Sequence, residues 1–191
     1  MAAPKRMGQK DSATWHALLD AAERILREDG AGAATSRRIA EEAGVTQQLI
    51  YYYFTTIDEV LLATFKRRSE AALTKAKEAT EPDVTSDIWN DLGSSFDAKL
   101  AFEFMGLSGT SPEFCQEVAN FLTEWRRLLA ETIAREWQRK GLHSGPLTPA
   151  GAAFLLSNIR FMLASEERIG VTEGHDDAKI AVEWLLNRSP I

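Results

Sequence analysis

The chain carries one cysteine, Cys115, and three histidines, His16, His143 and His175. A lone cysteine excludes a disulfide framework and a zinc site built on several thiolates. The histidines lie far apart and on no metal-ligand spacing such as H-x-x-x-H, so no metal and no cofactor is implied. No apolar run reaches the ~18 residues a membrane span needs, and Met1-Ala2-Ala3-Pro4-Lys5-Arg6 lacks the apolar stretch of a secretion signal. A cytoplasmic protein is expected. Catalysis has no visible carriers either. Glu166 and Glu167 are neighbours on one helix and point to different faces. Gly106-Leu107-Ser108-Gly109-Thr110 lacks the preceding strand and final glycine of a nucleophile elbow. Cys115 has no histidine near it in sequence and reads as a small buried residue.

What is present is helical periodicity, with 45% hydrophobic residues to fill a core. Trp15, Leu18, Leu19, Ala22, Ile25 and Leu26 repeat at three and four, predicting a helix from Ser12 to Asp29 that ends at Gly30. The following stretch, Thr35 to Phe54, reads as two short helices meeting at Gly44. Thr35 or Ser36 caps the first, and Ile39, Ala40 and Ala43 face inward. Gly44 tolerates the left-handed turn that ends it. Thr46 caps the second, with Leu49, Ile50 and Phe54 inward and Gln47, Gln48, Tyr51 and Tyr52 outward. Two small helices joined by a glycine turn make a helix-turn-helix. Gln pairs with both edges of adenine in the major groove, while Thr, Tyr and Arg bond phosphate oxygens. The expected DNA contacts are Ser36, Arg37, Arg38, Thr46, Gln47, Gln48, Tyr51, Tyr52 and Tyr53. Arg37 and Arg38 stand at a helix start, where the backbone also favours a phosphate. Tyr53 reads equally well as half-buried core.

The net charge of −6 is unevenly spread. Residues 1–56 hold seven basic and seven acidic side chains, so the remaining 15 basic and 21 acidic residues carry the whole imbalance. Lys5, Arg6 and Lys10 precede the first acid, Asp11, and form an arm suited to a duplex. Thr56-Ile57-Asp58-Glu59 is a capping box that starts a fourth helix running to about Thr80, with Lys66, Arg67 and Arg68 as its solvated face. Beyond it the pattern stays helical. A segment from Asp83 to Leu107 is apolar almost all round in its later half and is expected to be buried, with a kink at Gly93-Ser94-Ser95. Ser111-Pro112 and Thr148-Pro149 each open a further helix, and Asp176 to Asn187 forms the last. The fold class is all-α, about nine helices. A three-helix head over residues 1–56 carries the helix-turn-helix, and a larger helical body over 57–191 follows.

The run Ile39-Ala40-x-x-Ala43-Gly44-Val45-Thr46, then Tyr51-x-Tyr53-Phe54 and an amphipathic helix, resembles the DNA-binding head of TetR-family transcriptional regulators over residues 12–65. Two positions depart from that pattern. Gln48 stands where the family usually has Gly or Pro, and Ile57 where a lysine usually opens the fourth helix. The resemblance implies a double-stranded DNA operator, a small-molecule effector bound among the middle helices, and a two-fold homodimer through the last two helices. Trp89, Phe96, Phe102, Phe104, Phe114, Phe121 and Trp125 make that middle region aromatic. Phe102, Glu103, Phe104, Phe121 and Trp125 are the candidate effector contacts, with ordinary core as the competing reading for each aromatic. Glu103 shares a stripe with Phe96, Leu100 and Leu107. Its carboxylate needs a partner there, either a cationic ligand or an arginine of a neighbouring helix. Ala153, Phe154, Phe161, Ala181 and Trp184 are the candidate dimer contacts. The expected function is a repressor released from its operator by the effector. The alternative is a helical small-molecule-binding protein that has lost operator recognition.

Overall fold

The computed structural model describes residues 11–78, 97–142 and 146–186. The basic arm of Lys5, Arg6 and Lys10, the aromatics Trp89 and Phe96, the kink at Gly93-Ser94-Ser95 and His143 lie outside those residues. Among the described residues there are eight helices and no strand: α1 (Ala13–Glu28), α2 (Ser36–Ala43), α3 (Gln47–Tyr53), α4 (Ile57–Glu78), α5 (Ala98–Leu107), α6 (Pro112–Lys140), α7 (Pro149–Arg168) and α8 (His175–Leu186). They fall into two compact units. The first takes the described residues up to 70 together with 99–118, and the second takes the rest. The first half of α4 and the start of α6 therefore belong to the unit that holds the head.

In the first unit α1 begins where the Ser12 hydroxyl accepts from the Trp15 N–H at 3.2 Å. Its stripe of Leu18, Leu19, Ala21, Ala22, Ile25 and Leu26 is fully buried. Each large aliphatic there contributes about 1.5–3 kcal/mol relative to an exposed position. Ile39, Ile50 and Val60 close the same core from α2, α3 and α4. The Thr56 hydroxyl caps α4 by accepting from Glu59 N–H at 3.2 Å. Glu59 reaches back to the N–H of Thr55, one residue short of the expected partner.

Of the expected solvated face, Arg68 is exposed and Arg67 half-buried, and both are held in ion pairs. Arg67 binds Asp20 at 2.7 Å and Glu23 at 3.4 Å, and Arg68 approaches Glu23 at 3.4 Å. Glu23 thus ties α1 to α4 through two guanidiniums, and Arg27, one turn along α1, binds the same carboxylate at 2.7 Å. Phe65, Phe104 and Phe114 pack as a trio, edge-on or tilted, with centroids 5.1, 5.6 and 6.4 Å apart. The expectation of an α5 buried on every side fails. Leu100, Phe104 and Leu107 are buried, while Phe102 and Met105 are exposed.

In the second unit Leu129, Ile133 and Trp137 of α6 pack with Ala152, Ala153 and Leu156 of α7 and Val182 of α8. The two alanines are the small residues that α7 contributes to this core. Thr148 caps α7 by accepting from Gly151 N–H at 3.1 Å, with Pro149 in the first turn where its missing N–H costs nothing. His175, which opens α8, is buried and joins Glu166 through its Nε2 at 2.8 Å. The sequence pattern gave no hint of that pair.

Candidate nucleic-acid interface

The head is built by caps. Thr35 closes the start of α2, its hydroxyl accepting from Arg38 N–H at 3.3 Å. Gly44 ends the helix at φ 66°, ψ 31°, the left-handed region that glycine enters without a Cβ penalty. Its N–H and that of Val45 satisfy the carbonyls of Glu41 and Ala40 at 3.2 and 2.9 Å. Thr46 holds the cap position of α3 in an extended conformation, but its side chain makes no capping bond, contrary to expectation. Ile50 and Phe54 are buried and Leu49 half-buried. Trp15 stacks on Phe54 with centroids 6.4 Å apart, which seats the end of α3 on α1.

That seating turns Gln47, Gln48, Tyr51 and Tyr52 to solvent. Gln48 has no hydrogen-bond partner among the described residues, whereas Gln47 Nε2 donates to the Ser36 hydroxyl at 2.6 Å. Tyr53 is half-buried, and its hydroxyl accepts from Ser12 Oγ at 3.0 Å. It fastens α3 to the start of α1, the more structural of its two readings. The two arginines of α2 are already paired. Arg37 Nε binds Glu41 at 2.9 Å and Arg38 binds Asp29 at 2.6 Å. The hydrogen bond to Glu41, and secondarily its charge, raise the Arg37 pKa above its ordinary value.

Glu103 finds neither an arginine nor a site of its own. Its Oε2 accepts from the Ala31 N–H at 2.7 Å, in the turn between α1 and α2. Gly30 makes the approach possible. It sits at φ 87°, and a Cβ there would lie 3.1 Å from the Glu103 carboxylate. An arginine was expected because charge partners are easier to foresee than a backbone N–H left open by a turn.

The other effector candidates are divided between the two units. Phe102 and Phe104 lie with Glu103 in the first unit, where Phe104 is committed to the buried aromatic trio. Phe121 and Trp125 belong to the second unit, half-buried, with rings 6.1 Å apart. Trp125 lines a cleft with Ala76, Leu128, Leu129 and Thr132 whose volume of about 10 Å³ holds no more than a water molecule.

The dimer candidates divide in another way. Ala153 is fully buried in the second unit's own core, so it is no interface residue of the folded chain. Phe154, Ala181 and Trp184 are exposed and Phe161 half-buried. Leu155, Met162 and Ile180 are also exposed, which widens the apolar surface beyond the residues sequence reasoning singled out. Cys115, expected inside, is exposed. It follows buried Phe114 by one position, a 100° turn that carries it off the inward face.

Two short helices joined at a left-handed glycine, the second turning its polar side to solvent, make a helix-turn-helix head. Residues 18–64 match the model for bacterial regulatory proteins of the tetR family. That stretch, from α1 into α4, is a DNA-binding head of the tetR kind. No curated protein sequence matches it. Solved structures share the fold at low identity. The reduced form of NemR from E. coli is 17% identical, with 90% of this chain and 96% of that one covered and a TM-score of 0.75. FadR from Bacillus subtilis, in complex with stearoyl-CoA, is 18% identical, with 91% and 98% covered and a TM-score of 0.69. SmeT, the repressor of the Stenotrophomonas maltophilia multidrug efflux pump SmeDEF, is 22% identical, with 92% and 89% covered and a TM-score of 0.63.

Proposed function

We propose that the protein is a homodimeric repressor that leaves its operator when a small molecule binds. The observation that carries the reading is α3, whose Gln48, Tyr51 and Tyr52 are presented to solvent while Ile50 and Phe54 anchor it. DNA contact is assigned to residues 1–56 and effector and partner binding to 57–191. A repressor fits the description of SmeT, and a small-molecule effector fits the acyl-CoA bound to the Bacillus subtilis FadR. Release is a population shift. The effector changes operator affinity only by its preference for one arrangement of the body over another. No helix among the described residues is long and apolar enough to cross a membrane.

Gln48 reads a base, and Ser36, Arg37, Arg38, Thr46, Tyr51 and Tyr52 hold phosphates. Tyr53 supports them from below, and Gln47 reads a base once it leaves Ser36. Gln48→Ala should erode discrimination by roughly 1–3 kcal/mol at one base step of each half-site. Gln47→Ala should cost less, because the wild-type side chain first gives up its 2.6 Å bond to Ser36. Arg38→Ala and Tyr52→Ala should weaken specific and random duplexes alike, since phosphate contacts carry no sequence information. Mobility shifts on operator and scrambled duplexes check all four. Footprinting on the DNA flanking the protein's own gene tests the function itself. A purified protein with no salt-dependent duplex binding would overturn it.

A further inference from the structure

Helix α5 sends two charged side chains to the main chain of the head. Its buried stripe of Leu100, Phe104 and Leu107 seats the helix, with Phe104 against Phe65 of α4 and Phe114 of α6. On the adjoining face Lys99 and Glu103 stand one turn apart, both half-buried. Lys99 Nζ donates to the Glu28 carbonyl at the end of α1. Helical carbonyls lack partners there, and the helix dipole favours a cation. Glu103 Oε2 accepts from the Ala31 N–H at 2.7 Å, the donor that opens the short turn Ala31–Ala33. Each charge therefore meets a backbone group of opposite polarity.

The two gripped peptide groups flank one dipeptide, Asp29-Gly30. Gly30 is buried at φ 87°, and its missing Cβ leaves room for the Glu103 carboxylate. Asp29 carries the contact onward, its carboxylate binding Arg38 Nη2 at 2.6 Å near the start of α2. Thr35, which caps α2 through the Arg38 N–H, follows Ala31 by four residues. A continuous path of bonds thus leads from α5 to a side chain placed at the phosphates, all of it within the first unit. A turn held at two points is ordered before DNA arrives, and a pre-ordered contact binds more tightly than one ordered on binding.

We propose that Lys99 and Glu103 are positioning residues for DNA binding, a clasp from α5 that sets the turn before α2 and, through Asp29, the guanidinium of Arg38. This role rests on the placement of Arg38 at a phosphate in the proposed function. Glu103→Leu should speed hydrogen exchange of the Ala31 amide about tenfold in the DNA-free protein, the loss of one charge-assisted bond. Well below the melting transition, Glu103→Leu and Lys99→Met should each weaken operator and random duplexes alike, by about fivefold. Glu103→Gln keeps an oxygen for the N–H and should stay within about twofold of the wild type. The exchanged pair, Lys99→Glu with Glu103→Lys, keeps the net charge but turns a donor to the N–H and an acceptor to the carbonyl. It should fail as Glu103→Leu does. A double-mutant cycle separates positioning from a general loss of fold. In an Arg38→Ala background Glu103→Leu should cost no further affinity, because the contact it positions is gone. An equal loss in both backgrounds overturns the proposal. So does an exchanged pair that binds DNA like the wild type, or an Ala31 amide whose exchange Glu103→Leu leaves unchanged. Arg38→Ala that binds both duplexes like the wild type overturns the phosphate reading and the DNA role with it, while the Ala31 amide judges the clasp separately.

Discussion

A chain carrying Trp184→Glu is expected to sediment as a helical monomer that melts near the wild-type temperature and binds its operator on the order of a hundredfold more weakly. Trp184 is 60% exposed and Ile180 on the same face is 63% exposed. Phe154, Leu155 and Met162 extend that surface along α7. A charge at Trp184 therefore costs the single chain little, about 0.5 kcal/mol or less for a surface site. A partner face is a different environment. A large aromatic at an interface centre is worth roughly 2–4 kcal/mol, and a carboxylate desolvated in its place adds a further penalty. The operator is lost with the dimer because two heads held about 34–36 Å apart act as one ligand, while a single head offers half the contacts. Analytical ultracentrifugation at micromolar concentration, circular dichroism and a mobility shift on one preparation check the three parts. A wild type that sediments as a monomer, or a variant that stays dimeric, would refute the assignment of this face.

Ala153→Arg is expected to fail in the opposite manner. Ala153 is 0% exposed, set among Leu129, Ile133, Trp137, Leu156 and Val182. No water and no carboxylate waits there for a guanidinium. The substitution overfills a close-packed core and buries an unpaired charge, a combination that belongs to the rare losses above ~4–5 kcal/mol. For a chain of this size that is about 10 °C or more in Tm. Thermal melts and soluble yield report it, and any dimer defect would follow from unfolding. A variant that melts normally while losing its partner would return Ala153 to the interface.

The contrast between these two residues shows what the sequence carried. Periodicity placed the buried stripe of α1, the glycine turn and the helix starts among the described residues other than that of α5, because caps and apolar spacing are local and written in consecutive residues. It also gave the outward side of α3. It could not decide which small residues of α7 meet a neighbour in the same chain. Ala152 and Ala153 would suit either a core or an interface, and only the position of α6 separates the two. Glu103 marks the same limit. Its inward stripe was legible, but the Ala31 N–H that it satisfies lies 72 residues away. The ion pairs of Arg67 and Arg68 were not legible because their partners, Asp20 and Glu23, sit on a helix far off in sequence. Glu23 offered no signal at all, since one acid on an amphipathic helix is ordinary.

The pairing of Arg38 with Asp29 and of Arg37 with Glu41 has a thermodynamic consequence. A free cation landing on a phosphate expels a condensed counterion, which lowers log K by about 0.9 per contact for each unit of log salt. These two arginines arrive with counterions of their own. When DNA takes a guanidinium, the abandoned carboxylate recruits a sodium ion from solution, and the net release falls. Binding here is partly an exchange of anions, the duplex replacing aspartate and glutamate. The slope of affinity against salt therefore counts fewer ions than there are cationic side chains at the backbone, and Asp29→Asn should steepen it.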